Sequence, residues 1–193
     1  FTVGFPQGAF DERAIARTVA KQAGSDHTEI EISEDTCLQW VKEAVTGLDL
    51  PSVDAINTYI VSKAVRDTGV KVALSGLGGD EIFAGYPSFT DIPLIRWLGY
   101  LPPAISKQLV LVSPKSLKEK LEGLSSFGII DLTVARRRFT SISKLESLGF
   151  GDGTPVLPPP PAGLDTMGLI SWAEIQSYMI PMLLRDSDQM SMA

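Results

Sequence analysis

Two residue types that often carry chemistry are almost missing from this chain of 193 residues: it has one cysteine, Cys37, and one histidine, His27. A lone cysteine excludes an internal disulfide, and nothing in its use points to an oxidising compartment. A lone histidine excludes a His-rich metal centre and a histidine triad with a partner elsewhere. No apolar run approaches membrane-spanning length, and the N-terminus lacks a basic segment followed by an apolar one. A soluble, cytoplasmic chain with no membrane partner is expected. Basic residues number 17 against 23 acidic ones, a net charge of −6, which argues against a nucleic-acid binder. Arg136-Arg137-Arg138 is the local exception and reads as a solvated helix face. Apolar residues reach 44%, enough for the core of one large domain.

One stretch organises the rest: Lys71-Val72-Ala73-Leu74-Ser75-Gly76-Leu77-Gly78-Gly79-Asp80-Glu81-Ile82-Phe83-Ala84-Gly85-Tyr86. Val72 to Leu74 is a short apolar run bounded by turn residues, which predicts a buried strand. The glycines at 76, 78 and 79 allow a sharp bend that exposes backbone N–H groups. A strand, a glycine bend and a helix start together form an anion site. The loop has no lysine, which excludes the G-x-x-x-x-G-K-[ST] nucleotide loop. Asp80 and Glu81 would repel a bare phosphate, and Mg²⁺ between carboxylate and phosphate removes the conflict. A Mg²⁺-pyrophosphate site is one reading; an ordinary strand–helix turn capped by Asp80 is the other.

Around this stretch the pattern alternates. Phe1 to Phe5 is β-prone. A helix follows, with Asp11 as N-cap, Ile15 and Val19 on one face and Gly24 as the stop. His27 to Ile32 alternates as a strand with one wet face, which makes His27 a surface residue. Ser33 caps a second helix ending at Gly47, on which Cys37 is a small buried filler. Pro51 or Ser52 starts a third helix carrying Val53, Ile56, Ile60 and Ala64, closed by Gly69. The fold class predicted for residues 1–90 is therefore α/β, with a parallel, doubly wound sheet. Residues 91–193 read as mainly helical, with amphipathic helices at Lys115 to Leu124 and Ile129 to Ser141. A Pro-rich loop spans 149–163, and a final helix from Leu169 to Met192 is expected to kink or break at Pro181.

The string Ser75 to Tyr86 resembles the pyrophosphate-loop segment of the asparagine synthetase family, the glutamine-dependent amidotransferases with an ATP-pyrophosphatase-type synthetase domain. Phe1 to Pro6, Phe10 to Ala16, Asp49 to Ser62 and Leu183 to Ala193 agree in order and spacing. The resemblance implies an incomplete nucleotide-binding core over 1–90 and the helical part of the same domain over 91–193. It implies activation of a carboxylate substrate by transfer of AMP from ATP with release of pyrophosphate. Ammonia from an N-terminal glutaminase domain, the expected partner, then displaces the AMP. By position, Val3 falls at the adenine, and Ser75, Gly76, Gly78 and Gly79 fall in the nucleotide loop. Asp80 falls at the Mg²⁺-pyrophosphate carboxylate. Arg185 falls near the acceptor or the nucleotide, unless a salt bridge with Asp186 or Asp188 holds it.

The chain departs from the family pattern in several places. The Ser-Gly-Gly-x-Asp-Ser loop, a C-terminal lysine and the glutaminase domain are not within these residues, so an inactive fragment of a longer protein is expected. In the family sheet a further strand lies between those at Val3 and Val72. Its absence predicts an irregular gap, or pairing between chains as a homo-oligomer. Leu77 stands where aspartate-using members carry glutamate, which implies an acceptor other than aspartate. The alternatives are a β-lactam- or macrolactam-forming synthetase of the same fold, and a non-catalytic interaction module.

Overall fold

A computed structural model describes residues 1–4, 11–52, 54–124, 126–151 and 155–192. Phe5, Val53 and part of the proline-rich loop lie outside the described residues. Contacts divide the chain into two units, Phe1–Ser75 with Met182–Ala193, and Gly76–Pro181.

The first unit begins with strand β1 (Thr2–Gly4), which pairs in parallel with β2 (Glu29–Glu31), Val3 opposite Ile30. Parallel neighbours need a crossover, and helix α1 (Arg13–Ala23) supplies it, closed by Gly24 at φ 63°. Ion pairs fasten α1 to β2: Arg13 to Glu31 and Arg17 to Glu29, both at 2.7 Å. The shared face of Ile15 and Val19 is consequently outward, and both are exposed. Ile32 is buried while Glu29 and Glu31 face outward, as the alternation predicts. His27 departs from its surface reading. Its Nε2 lies 2.8 Å from Thr2 Oγ1, so the imidazole is drawn inward by a hydroxyl on the neighbouring strand.

Ser33 caps helix α2 (Glu34–Gly47) by accepting the Thr36 N–H. Helix α3 spans Ala55–Asp67, and Ser52 Oγ accepts the N–H groups of Asp54 and Ala55 at its start. Ile60 and Ala64 pack with Ile32, Val3 and Cys37, whereas Ala55 and Tyr59 pack with Ala44 and Met190. Met190 belongs to helix α11 (Arg185–Ser191), which lies along α3.

On the wet side of this core Lys63 donates to Glu43 and sits over the Trp40 and Tyr59 rings. That hydrogen bond, helped by Gln39, pulls the Glu43 carboxyl down to about 2 from 4.5. A depressed carboxyl stabilises the fold above its unfolded value and ceases to do so as pH falls through the folded one. Glu43→Gln is therefore expected to flatten the loss of thermal stability between pH 4.5 and about 2. Asp11, held down to about 2 by Arg13, and Glu29, lowered by its hydrogen bond with Arg17, contribute to the slope that remains. Melting curves of both proteins at stepped pH check this; an unchanged slope in the variant refutes it.

The predicted strand at Val72–Leu74 is absent. The segment is irregular, with Val72 84% and Leu74 100% exposed. A short apolar run becomes a strand only where a neighbour takes its backbone groups. Among the described residues, β1 and β2 pair only with each other. The α/β character holds at this smaller scale. Two paired strands do not make a doubly wound sheet.

The second unit is helical: α4 (Gly79–Phe83), α5 (Ser88–Ile95), a 3₁₀ segment (Arg96–Tyr100), α6 (Pro103–Val112), α7 (Lys115–Leu121), α8 (Ile129–Arg137), α9 (Ile142–Ser147) and α10 (Thr166–Glu174). Its core is Phe89, Ile92, Leu121, Ile129, Leu132 and Ile170. The helix predicted over Ile129–Ser141 stops at Arg137, because Ser141 instead caps α9 by accepting the Lys144 N–H. After α10 the chain widens into π-helical turns over Ile175–Leu184 that contain Pro181. Proline has no N–H and crowds the preceding turn, and a local change of winding accommodates it here.

Candidate functional site

The glycine bend is built by backbone conformation. Gly78 holds φ at 90°, a region open to glycine and costly for other residues. The Gly79 N–H donates to Gly76 O at 3.1 Å, which closes the turn, and α4 starts at once. Gly78 is buried over Met179 Sδ, 3.4 Å from where a Cβ would stand. The first N–H groups of a helix have no acceptor within that helix, so the turn leads into donors.

Asp80 is exposed, and its carboxylate lies over Gly85. A Cβ on Gly85 would come within 2.0 Å of Asp80 Oδ1, so the carboxylate occupies room that only glycine leaves. Ala84, at φ 60°, ends α4 in the left-handed region, and the Gly85 N–H returns to Asp80 O at 2.9 Å. A non-glycine residue there costs roughly 1–2 kcal/mol, strain of the kind that gathers at functional sites. Glu81 points the other way: it is buried and accepts the Tyr86 hydroxyl at 2.8 Å. Burial and this acceptor push the Tyr86 phenol up, so it stays protonated and donating. The two neighbouring carboxyls thus divide into one facing water and one anchoring the loop.

The other predicted residues are placed as follows. Leu77 is 41% exposed beside the bend, and Gly76 is exposed. Ser75, also exposed, ends the first segment of the other unit. In that unit Val3 is half-buried against Ile32 and Ile60. Arg185 donates to Asp186 Oδ1 at 2.9 Å, the salt bridge the sequence left open. Asp186 is fully buried and also accepts Ser52 Oγ, so Arg185 is braced at the start of α11. A groove of about 610 Å³ lined by Leu98, Val110, Leu121, Leu124 and Phe127 contains none of these residues.

For a divalent cation the donor set is spare: among the described residues no three His, Cys, Asp or Glu side chains converge. Mg²⁺ is held through one or two carboxylates with substrate phosphates and water completing its shell. One exposed carboxylate beside a glycine turn fits that habit. No helix among the described residues is long and apolar enough to cross a membrane.

The arginine run is not the solvated face its sequence suggests. Arg136 pairs with Asp91, and Arg138 donates to Glu122 O. Arg137 Nε donates to the buried Glu174 at 2.6 Å. Sequence reasoning missed this arginine, as it missed Gly85. The partners of Arg137 are far away in the chain, and no local signal announces them.

The family model of asparagine synthase matches residues 1–193. The chain belongs to the asparagine synthase family. Among curated relatives of this family, a candidate glutamine-hydrolysing asparagine synthetase of Mycobacterium tuberculosis is 33% identical over 141 residues, 72% of this chain and 21% of the relative. The amidase chyE of Penicillium rubens is 31% identical over 166 residues, 80% of this chain and 25% of the relative. Glutamine-hydrolysing asparagine synthetase B of Escherichia coli is 33% identical over 97 residues, 48% of this chain and 17% of the relative. The matched part thus spans about a sixth to a quarter of these relatives' length. No solved structure matches the chain.

Proposed function

We propose that this chain is the pyrophosphate-holding part of an ATP-dependent, amide-forming synthetase of the asparagine synthase family. In the parent protein a carboxylate is activated by AMP transfer from ATP, pyrophosphate leaves, and ammonia from a glutaminase domain displaces the AMP. The single observation carrying this reading is the exposed Asp80 carboxylate seated over Gly85, beside a turn that Gly78 bends at positive φ. Gly76, Gly78 and Gly79 let the backbone come close to phosphate oxygens, and Asp80 would hold Mg²⁺. When bound, the ion neutralises charge that gathers on the leaving diphosphate. The contribution of the residues themselves is placement, which accounts for much of catalysis of this type. Ser75 is assigned to the nucleotide loop and Val3 to the adenine, with Arg185 oriented by Asp186 toward the acceptor or the nucleotide.

Leu77 favours an acceptor other than aspartate, because it offers no charge to a substrate ammonium. A peptide, sugar acid or secondary metabolite carboxylate fits a neutral lining better. The test is pyrophosphate release by the full-length protein with ATP, Mg²⁺, ammonia and a panel of carboxylic acids. Release with acids other than aspartate supports both readings. A response confined to aspartate removes the acceptor reading, and no release with any acid removes the catalytic one.

A further inference from the structure

Arg137 is half-buried among groups that tie three elements together. Its Cζ lies 4.2 Å from the Tyr86 ring centroid and 3.8 Å from that of Tyr178, and the two rings meet edge to face. Its Nε donates to Glu174 Oε2, and Glu174 Oε1 accepts Ser88 Oγ at 2.6 Å. Arg137 Nη2 is buried with no hydrogen-bond partner. An unpaired buried donor is costly, and an apolar residue in its place would avoid that cost. What an apolar residue cannot do is fix two rings and a carboxylate at once. The guanidinium is planar, stacks on aromatic faces and donates in a fixed fork.

The orientation fixed in this way reaches Asp80. Tyr86 lies between Arg137 on its ring and Glu81 on its hydroxyl, and it follows Gly85, over which the Asp80 carboxylate lies. Helix α4 itself rests on α10, which carries Glu174, and Met179 next to Tyr178 lies under Gly78. Arg137 therefore braces both ends of the loop from Gly78 to Tyr86 without belonging to it. We propose that Arg137, held by Glu174 between Tyr86 and Tyr178, is a positioning residue that sets the Asp80 carboxylate for Mg²⁺-pyrophosphate. This rests on the function proposed above.

The test uses the full-length protein and two substitutions, Arg137→Lys and Tyr86→Phe. Lysine keeps the charge for Glu174 but loses the planar stack; phenylalanine keeps the ring but loses the bond to Glu81. Calorimetric affinity for Mg²⁺-pyrophosphate is expected to weaken about tenfold in Arg137→Lys, the lower end for groups that orient a metal ligand, and less in Tyr86→Phe. Amide exchange at residues 79–86, measured without ligand, is expected to quicken in both, with exchange in α5 unchanged. A folded Arg137→Lys protein with parental affinity and parental exchange at 79–86 overturns the assignment. Should Arg137→Lys not fold, Tyr86→Phe decides by the same two readings. If the parent protein itself fails to bind Mg²⁺-pyrophosphate, the functional reading falls and this assignment with it. Parental binding with unchanged variants removes this assignment alone.

Discussion

Asp80→Asn in the full-length protein is expected to lower pyrophosphate release by on the order of 10²–10³, the usual loss when one preorganised group at a developing charge is removed. The side chain is exposed and bears no packing load, so the melting temperature should stay within a degree or two. Asparagine keeps the shape and loses the charge, which isolates the electrostatic role. Gly85→Ala should reproduce much of the loss by another route. The backbone at Gly85 lies outside the positive-φ set, so alanine is conformationally allowed. Its methyl, however, would stand 2.0 Å from Asp80 Oδ1 and expel the carboxylate. Steady-state release assays with circular dichroism melts check both variants. Unimpaired turnover in Asp80→Asn would refute the assignment of this side chain to the metal.

Ile170→Ala is expected to destabilise the Gly76–Pro181 unit by about 2–5 kcal/mol, the range for truncating a fully buried branched side chain. Ile170 is completely buried at the centre of a cluster with Phe89, Ile92, Leu121, Ile129 and Leu132. It lies one turn before Glu174 on α10, so loosening this core loosens the support of Arg137 as well. Leu94→Ala, on α5 and 71% exposed, is the matched control and should shift stability by no more than about 0.5 kcal/mol. Urea titrations followed by tryptophan fluorescence read the difference. Equal midpoints for the two variants would contradict the burial pattern.

What could be read from the sequence was local. Ser33 and Gly24 bound their helices as predicted, because a cap is decided within three or four residues. The same holds for the bend at Gly78, where several glycines and an acidic pair follow one another. The strand at Val72–Leu74 was misread because a strand is a property of two segments, and an apolar run specifies only one. Arg136 to Arg138 were misread for a related reason. Charge runs usually face water, and only the approach of Glu174, 37 residues away, with Tyr86 and Tyr178 shows what Arg137 does. At Arg185 the sequence allows a salt bridge with either Asp186 or Asp188, and the structure shows it with the fully buried Asp186.

The bare hydrocarbon at Val72 and Leu74 has a practical side. Side chains so open to water, on a stretch prone to extended structure, make a ready seed for lateral sticking between molecules. A lysine at position 72 is the natural gatekeeper against such clumping.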